Sequence, residues 1–224
     1  MIIVTGASRG IGKAIYNDLT KKGKQVFGLS RKGDKSKNII ECDISDFNSI
    51  REASFKVKQK TNKIEALINA AGMASMNIAI ASPPEITKKI IETNLLGTIF
   101  TNQIFAPMII RNKGGSIINF STLAVKLGIQ GESIYIASKA GVEGYSRSLA
   151  RELSDFNVTV NCIAPGPIRT DLLRGVDEDK VDNIIKSQVF RKVLEIEDVV
   201  DQVNLLLSKE AKYISGQVIS VGGF

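Results

Sequence analysis

Tyr135 and Lys139 stand four residues apart in a stretch with helical periodicity, Glu132 to Leu153. A phenol and an ammonium therefore lie one above the other on one side of that helix. A second group capable of chemistry opens the chain, where the apolar run Met1-Ile2-Ile3-Val4 breaks into Thr5-Gly6-Ala7-Ser8-Arg9-Gly10-Ile11-Gly12. Its three glycines suit a backbone that passes close to a ligand, and the apolar stripe Ile11, Ala14, Ile15 and Leu19 marks a following helix. A strand, a glycine turn and a helix N-terminus form an anion site, where free N–H groups and the positive end of the helix dipole meet a pyrophosphate. The same glycines also suit a tight turn with no ligand at all. Histidine is absent. That removes the commonest general base and the commonest metal ligand, and argues against zinc-hydrolase and serine-hydrolase chemistry and for no metal site.

The elements that must position these groups alternate along the chain. Strands are expected at Met1–Val4, Gln25–Ser30, Asn38–Cys42, Ile64–Asn69, Ser116–Phe120, Val158–Ile163 and Gln217–Val221. Helices are expected at Lys13–Lys22, Ser45–Lys60 with Ser45 or Asp46 as cap, Glu85–Arg111, Glu132–Leu153, Asp177–Gln188 and Glu197–Leu207. Each strand is a nearly unbroken apolar run, the mark of a sheet covered on both faces. The expected fold is therefore α/β, a doubly wound, mostly parallel seven-stranded Rossmann sheet with helices on both faces. With 224 residues, 43% of them hydrophobic, a single domain over 1–224 can bury its own core. A substrate-loop insertion is expected at about 171–197.

Charge and leader signals narrow the function classes. The formal net charge is +7, and residues 1–60 hold 13 Lys/Arg against 6 Asp/Glu. The surplus thus surrounds the glycine turn, with no basic stripe interleaved with aromatics elsewhere, which favours a phosphate-rich small ligand over nucleic acid. No basic and apolar leader precedes the first strand and no apolar run reaches the length of a membrane span, so cytoplasmic residence and no membrane association are expected. Cys42 and Cys162, at the ends of buried strands, suit reduced thiols better than a disulfide.

In a doubly wound sheet ligands collect at the carboxyl ends of the strands. Those ends carry Thr5–Gly12, Arg31, Asp43, Asn69-Ala70-Ala71-Gly72, Ser121-Thr122 and Pro165–Thr170. The glycine turn, Asn69–Gly72, Asn94, a hydroxyl 13 residues before Tyr135, the Tyr135/Lys139 pair and Pro165-Gly166 together resemble the short-chain dehydrogenase/reductase family, from Met1 to Tyr213–Gln217. The layout is most similar to the 3-oxoacyl-acyl-carrier-protein reductases.

That resemblance implies an NADP(H)-dependent oxidoreductase that transfers hydride to a ketone or 3-oxoacyl carbonyl, with Asn94, Thr122, Tyr135 and Lys139 as the catalytic set. Tyr135 would protonate the carbonyl oxygen; moving a phenol from pKa 10 toward 7 asks for about 4 kcal/mol of phenolate stabilisation, supplied by Lys139 and the nicotinamide charge. Lys139 would also hold the nicotinamide ribose, and Asn94 would kink its helix and support a water in the proton relay. Counting 13 residues back from Tyr135 gives Thr122, where the family usually has serine; Ser121 precedes it, and successive side chains on a strand point oppositely.

The implied cofactor residues are Gly6, Ser8, Arg9, Gly10, Ile11, Gly12, Arg31, Asp43, Ile44, Asn69, Ala70, Gly72, Tyr135, Lys139, Pro165, Gly166, Ile168 and Thr170. Arg9 and Arg31 flank the expected adenosine ribose with no acid before Asp34, which selects the 2′-phosphate of NADP over NAD. Asp43 would meet the adenine amino group; Ile168 and Thr170 would meet the nicotinamide carboxamide. The resemblance further implies a carbonyl substrate, carrier-linked in the 3-oxoacyl case, and a homo-oligomeric dimer or tetramer paired through the helices Glu85–Arg111 and Glu132–Leu153. Lys113 falls where such reductases carry a basic carrier contact, whereas Phe156 stands where a second basic residue is expected. Reductases of sugars, polyketides or small alcohols share the same features. An NADP-binding scaffold that had lost turnover is the competing class, and loss of Tyr135 or Lys139 would be its sign.

Overall fold

The computed structural model describes residues 1–168, 185, 186 and 188–223. The expected helix Asp177–Gln188 and the site residue Thr170 fall wholly or largely outside them. Among the described residues, seven strands form one parallel sheet in the order β3-β2-β1-β4-β5-β6-β7. They are β1 (Ile2–Thr5), β2 (Val26–Ser30), β3 (Ile39–Glu41), β4 (Ala66–Asn69), β5 (Gly115–Phe120), β6 (Val158–Pro165) and β7 (Val218–Val221). The order reverses direction beside β1, between β1 and β4, which is where a doubly wound sheet opens its ligand crevice.

Unbroken apolar strands require cover on both faces, and alternation along each strand divides the core in two. Ile2, Val4, Ala66, Ile68, Ile118 and Phe120 pack on one side, against α1 (Gly10–Lys21) and the helix Ile196–Leu207. Ile3, Leu67, Ile117 and Val160 pack on the other, against α2 (Phe47–Lys58) and α4 (Gly97–Arg111), with Leu149 and Leu153 from the far end of α6 (Ser133–Glu152). The sheet is thus a two-sided partition whose carboxyl edge is free to carry the turns.

Local chemistry sets the element ends. Asp46 caps α2 by accepting from the Asn48 amide, and Glu195 with Asp198 forms a capping box at the start of the helix Ile196–Leu207, α7. One expectation is corrected. The stretch read as a single helix Glu85–Arg111 is α3 (Pro84–Ile91), a π-turn over Glu92–Leu96 and then α4. The π-turn inserts an extra residue into the winding, a register change that apolar periodicity alone does not disclose. A short helix, α5 (Ala124–Leu127), also follows β5. Both cysteines are buried and free.

Candidate active site

Strand register brings the carboxyl ends to one level: Thr5 pairs with Asn69, Asn69 with Asn119, and Asn119 with Cys162. The turns beyond them meet. The Ala71 amide donates to the Thr5 hydroxyl at 3.0 Å, and a Cβ on Gly6, whose φ is +70°, would lie 2.9 Å from the Ala71 Cα. A Cβ on Gly12 would lie 2.5 Å from the Gly6 carbonyl oxygen. Glycine at these two positions is a steric requirement of turns pressed together.

Gly10, by contrast, faces open space, with φ +54° and nothing within 4 Å of where a Cβ would stand. It is the first residue of α1, whose preceding residue Arg9 makes no side-chain cap and whose first turn carries no acid. The amides of a twelve-residue helix are thereby left directed at the space beside Gly10. Ser8 and Arg9 are exposed there, with Ile11 half-buried. A cradle of glycines too tight for any Cβ beneath an uncapped helix end fits a dinucleotide pyrophosphate.

Just past β3, Ile44 is buried and Asp43 exposed. The Asp43 carboxylate accepts from the Ser45 amide at 2.9 Å and the Ser45 hydroxyl at 2.7 Å. Burial pushes this carboxyl up, but those Ser45 bonds and the fields of Arg31 and Lys89 bring it below its ordinary range. Lys89, on α3, is a cation that reading strand ends alone misses, because it enters from a helix far along the chain.

The catalytic candidates converge from three elements: the π-turn, the end of β5 and α6. Asn94, wholly buried in the π-turn, accepts from the Met73 amide at 2.8 Å and donates to the Met73 carbonyl at 2.8 Å and to the Ser138 hydroxyl at 3.0 Å. It therefore ties the loop after β4 to α6. The Asn94 carbonyl accepts from the Thr98 hydroxyl at 2.8 Å. Lys139 is buried and donates to the Phe120 carbonyl at 2.8 Å. A Cβ on Gly72 would lie 3.3 Å from the Asn94 carboxamide oxygen and 3.5 Å from the Lys139 ammonium. Gly72 thus marks the meeting point of Asn94, Lys139 and the β4 turn.

Thr122 and Ser121 point in opposite directions, as strand alternation requires. The Thr122 hydroxyl acts on the half-buried Tyr135 phenol, favouring its phenolate, and accepts from the Ala124 amide at 3.2 Å. Ser121 donates to the buried Glu143 carboxylate at 2.7 Å, away from Tyr135.

The electrostatics are those of a dry pocket. Burial, then the charge of Glu132 one turn earlier on the same helix, pushes the Tyr135 phenol up to about 12, against the opposing effect of Thr122. Burial pulls the Lys139 ammonium down to about 8, and burial raises the Glu132 carboxyl. Glu132 is a neighbour the sequence reading passed over, although its i,i+3 spacing to Tyr135 was visible. The arrangement holds a protonated phenol as hydrogen-bond donor beside a hydroxyl, with a cation one turn away.

Asn69 is placed differently from a direct ligand contact. Its carboxamide donates to Asn102 at 3.1 Å and Asn119 at 2.8 Å and accepts from Thr101 at 2.8 Å, all buried. What it offers the crevice is main chain, as do half-buried Ala70 and exposed Gly72. At the end of β6, the Gly166 amide donates to the Val221 carbonyl at 2.9 Å, the Pro165 carbonyl accepts from the Leu123 amide at 2.9 Å, and Ile168 forms a bridge with Leu194. Lys113 and Phe156 precede β5 and β6, so within one chain they stand at the edge of the sheet opposite Tyr135, about 20 Å of strand away. Among the described residues no helix is long and apolar enough to cross a membrane, and no group of three or more Cys, Asp or Glu could hold a metal ion.

Comparison with known proteins places this geometry. The family model described as enoyl-(acyl carrier protein) reductase matches residues 6–224. The 3-oxoacyl-acyl-carrier-protein reductase MabA of Mycobacterium tuberculosis is 36% identical over 224 residues, 99% of this chain and 91% of that protein. Carbonyl reductase family member 4 of Xenopus laevis is 35% identical, covering 98% of this chain and 95% of that protein. The structure of Thermoplasma acidophilum aldohexose dehydrogenase superposes with a TM-score of 0.89 at 28% identity, covering 99% of this chain and 92% of that one. On the fold, the glycine cradle and these relatives, the chain belongs to the short-chain dehydrogenase/reductase family of oxidoreductases, which work with nicotinamide cofactors.

Proposed function

We propose that this chain is an NADPH-dependent carbonyl reductase acting on 3-oxoacyl thioesters, as a single Rossmann domain; most of the substrate-loop insertion expected at about 171–197 falls outside the described residues. The observation that carries the reading is the convergence of buried Asn94 and Lys139 on Gly72, with Tyr135 one helical turn from Lys139 on α6 and the uncapped start of α1 at the same edge of the sheet. The acyl-thioester substrate class is supported by relatives named as reductases of 3-oxoacyl carrier proteins at 36% and 31% identity.

A reduced nicotinamide, when bound, supplies hydride. The rest falls to the chain. Gly10 leaves the main chain open to the pyrophosphate, Gly6 and Gly12 let the turns beneath it pack together, and the amides of α1 neutralise it. Arg9 and Arg31 are exposed and make no ion pair among the described residues, which leaves both guanidinium groups for a 2′-phosphate. Lys139 holds the ribose through its ammonium. Thr122 donates to the substrate carbonyl oxygen and orients it on Tyr135.

Tyr135 then gives up its phenolic proton to that oxygen as charge develops there, and Lys139 steadies the phenolate that remains. Burial raises the phenol to about 12, opposite to the expected fall toward 7, so at neutral pH it holds the proton it is to give, and the positive charge of Lys139 and of the oxidised nicotinamide is what would favour its loss. In the opposite direction Tyr135 must first lose its proton, so oxidation of an alcohol demands higher pH. Asn94 locks Met73 against Ser138 and so fixes the distance between the β4 turn and α6. Cytoplasmic residence and a homo-oligomer paired through α4 and α6 complete the reading.

The test is consumption of NADPH or NADH with a short 3-oxoacyl thioester, a simple ketone and an aldose. The expected result is turnover with the thioester and a lower Michaelis constant for NADPH. A lower Michaelis constant for NADH would overturn the cofactor choice, and turnover of the aldose alone would overturn the substrate class.

A further inference from the structure

Gln188 is buried to 3% exposure, yet neither its carboxamide oxygen nor its nitrogen has a hydrogen-bond partner among the described residues. Burying a primary amide with both ends unpaired is costly, and an apolar side chain of the same size would fill the space without that cost. The surroundings show where the amide acts. A Cβ on Gly166 would lie 2.3 Å from the Gln188 carboxamide oxygen, and a Cβ on Gly222 would lie 2.4 Å from it. The amide is therefore wedged between the turn after β6 and the turn after β7, in the space that a Cβ at either glycine would enter.

The same segment is laced to both turns by its main chain. The Phe190 amide donates to the Gly222 carbonyl at 3.0 Å, the Leu194 amide donates to the Pro167 carbonyl at 3.0 Å, and Leu194 bridges Ile168. Pro165 to Ile168 is the stretch that borders the nicotinamide end of the crevice in the reading above. A small displacement of Gly166 would open the Gln188 amide to the main-chain groups on either side of it, because closely packed interiors shift as units.

We propose that Gln188 is a positioning residue for the nicotinamide end of the site: seating a nicotinamide on Pro165–Ile168 gives its carboxamide the partners it lacks, and so couples that end of the cofactor to the β7 turn. This rests on the dinucleotide reading, and the adenosine end plays no part in it. Gln188 touches neither substrate nor cofactor.

Two ligands separate the ends: NADP⁺ and adenosine 2′,5′-bisphosphate, which lacks the nicotinamide. Their dissociation constants are measured by calorimetry for the wild type and for Gln188→Met, which keeps the volume and removes both hydrogen-bonding groups. The expected result is about tenfold weaker binding of NADP⁺, one hydrogen bond's worth, with the bisphosphate unchanged and Tm without ligand held or raised. A fall in Tm with equal loss for both ligands would overturn the proposal by making Gln188 structural. Unchanged binding of NADP⁺ would also overturn it.

A second measurement needs no stable variant. In wild-type protein carrying ¹⁵N-glutamine, the Gln188 side-chain amide signal should shift and gain exchange protection with NADP⁺ but not with the bisphosphate; identical responses to both would overturn the proposal. Failure of the wild type to bind either ligand would instead strike the dinucleotide reading itself.

Discussion

The two halves of the crevice are made of different material. The phosphate half, Thr5 to Gly12, is main chain: its steric fit is set by Gly6 and Gly12, which admit no Cβ, and by the uncapped amides of α1. The half proposed for the reaction is side chain: Asn94, Thr122, Tyr135 and Lys139 arrive from the π-turn, the end of β5 and α6, with Asn94, Thr122 and Lys139 held by named hydrogen bonds. Backbone dipoles carry no titrating proton, whereas burial displaces the reaction half in opposite directions, Tyr135 upward and Lys139 downward. Binding should therefore be insensitive to side-chain changes in the reaction half other than at Lys139, and the reaction should be sensitive to pH.

Lys139 is the residue that belongs to both halves, so removing it should blur the division most. Lys139→Met is expected to lower turnover by about 10³, within the range of general acid–base contributions, and to weaken NADPH as well. Loss of turnover with unchanged NADPH affinity would show that Lys139 does not hold the ribose. The charge on Lys139 gives the same division a pH axis. Its ammonium, with pKa near 8, is present below that pH and lost above it, so NADPH affinity should fall as pH rises through 8 in the wild type and stay flat in Lys139→Met.

Next in size is the choice between adjacent hydroxyls. Thr122→Val should cost about 10² in turnover while leaving NADPH binding intact, since it removes a donor to the developing oxyanion. Ser121→Ala should leave turnover within a few-fold, because Ser121 bonds Glu143. The reverse outcome would mean that Ser121 turns toward substrate during the reaction.

How far these halves could be read from sequence differs for a physical reason. A glycine turn between a strand and a helix is local, so Thr5–Gly12, the alternating elements and the parallel sheet were all legible in residue order and apolar periodicity. The reaction half depends on contacts between residues far apart in the chain. The resemblance pointed to Tyr135 and Lys139 and, by a count of 13 residues, to Thr122 rather than Ser121. It did not disclose that Asn94 bonds Met73 and Ser138, that Lys139 bonds a main-chain carbonyl, or that Lys89 stands near Asp43. Nor did it show the π-turn at Glu92–Leu96, since a single-residue change of winding leaves the apolar pattern almost intact. Asn69 was grouped with the ligand residues by its place at a strand end, while its side chain closes a buried network with Asn102 and Asn119.

A smaller effect tests the phosphate half from outside its turn. Arg31→Ala should weaken NADPH about tenfold and leave NADH unaffected, the loss expected of one exposed charge-assisted contact. Equal loss for both cofactors would mean that Arg31 serves the fold rather than the 2′-phosphate.

The smallest effect is electrostatic. Glu132 holds the Tyr135 proton more tightly, so Glu132→Gln lowers the phenol's pKa, and the pH profile of alcohol oxidation should move to lower pH with reduction at neutral pH little changed. A profile that stays in place would separate Glu132 from the proton donor.

The central claim is that Tyr135 supplies the proton while the main-chain turn holds the cofactor, and Tyr135→Phe tests both halves at once. NADPH affinity by fluorescence titration and turnover of a 3-oxoacyl thioester should be measured on the same preparation. The account predicts affinity within about twofold of wild type and turnover lower by roughly 10²–10⁴; undiminished turnover, or affinity that collapses together with turnover, would contradict it.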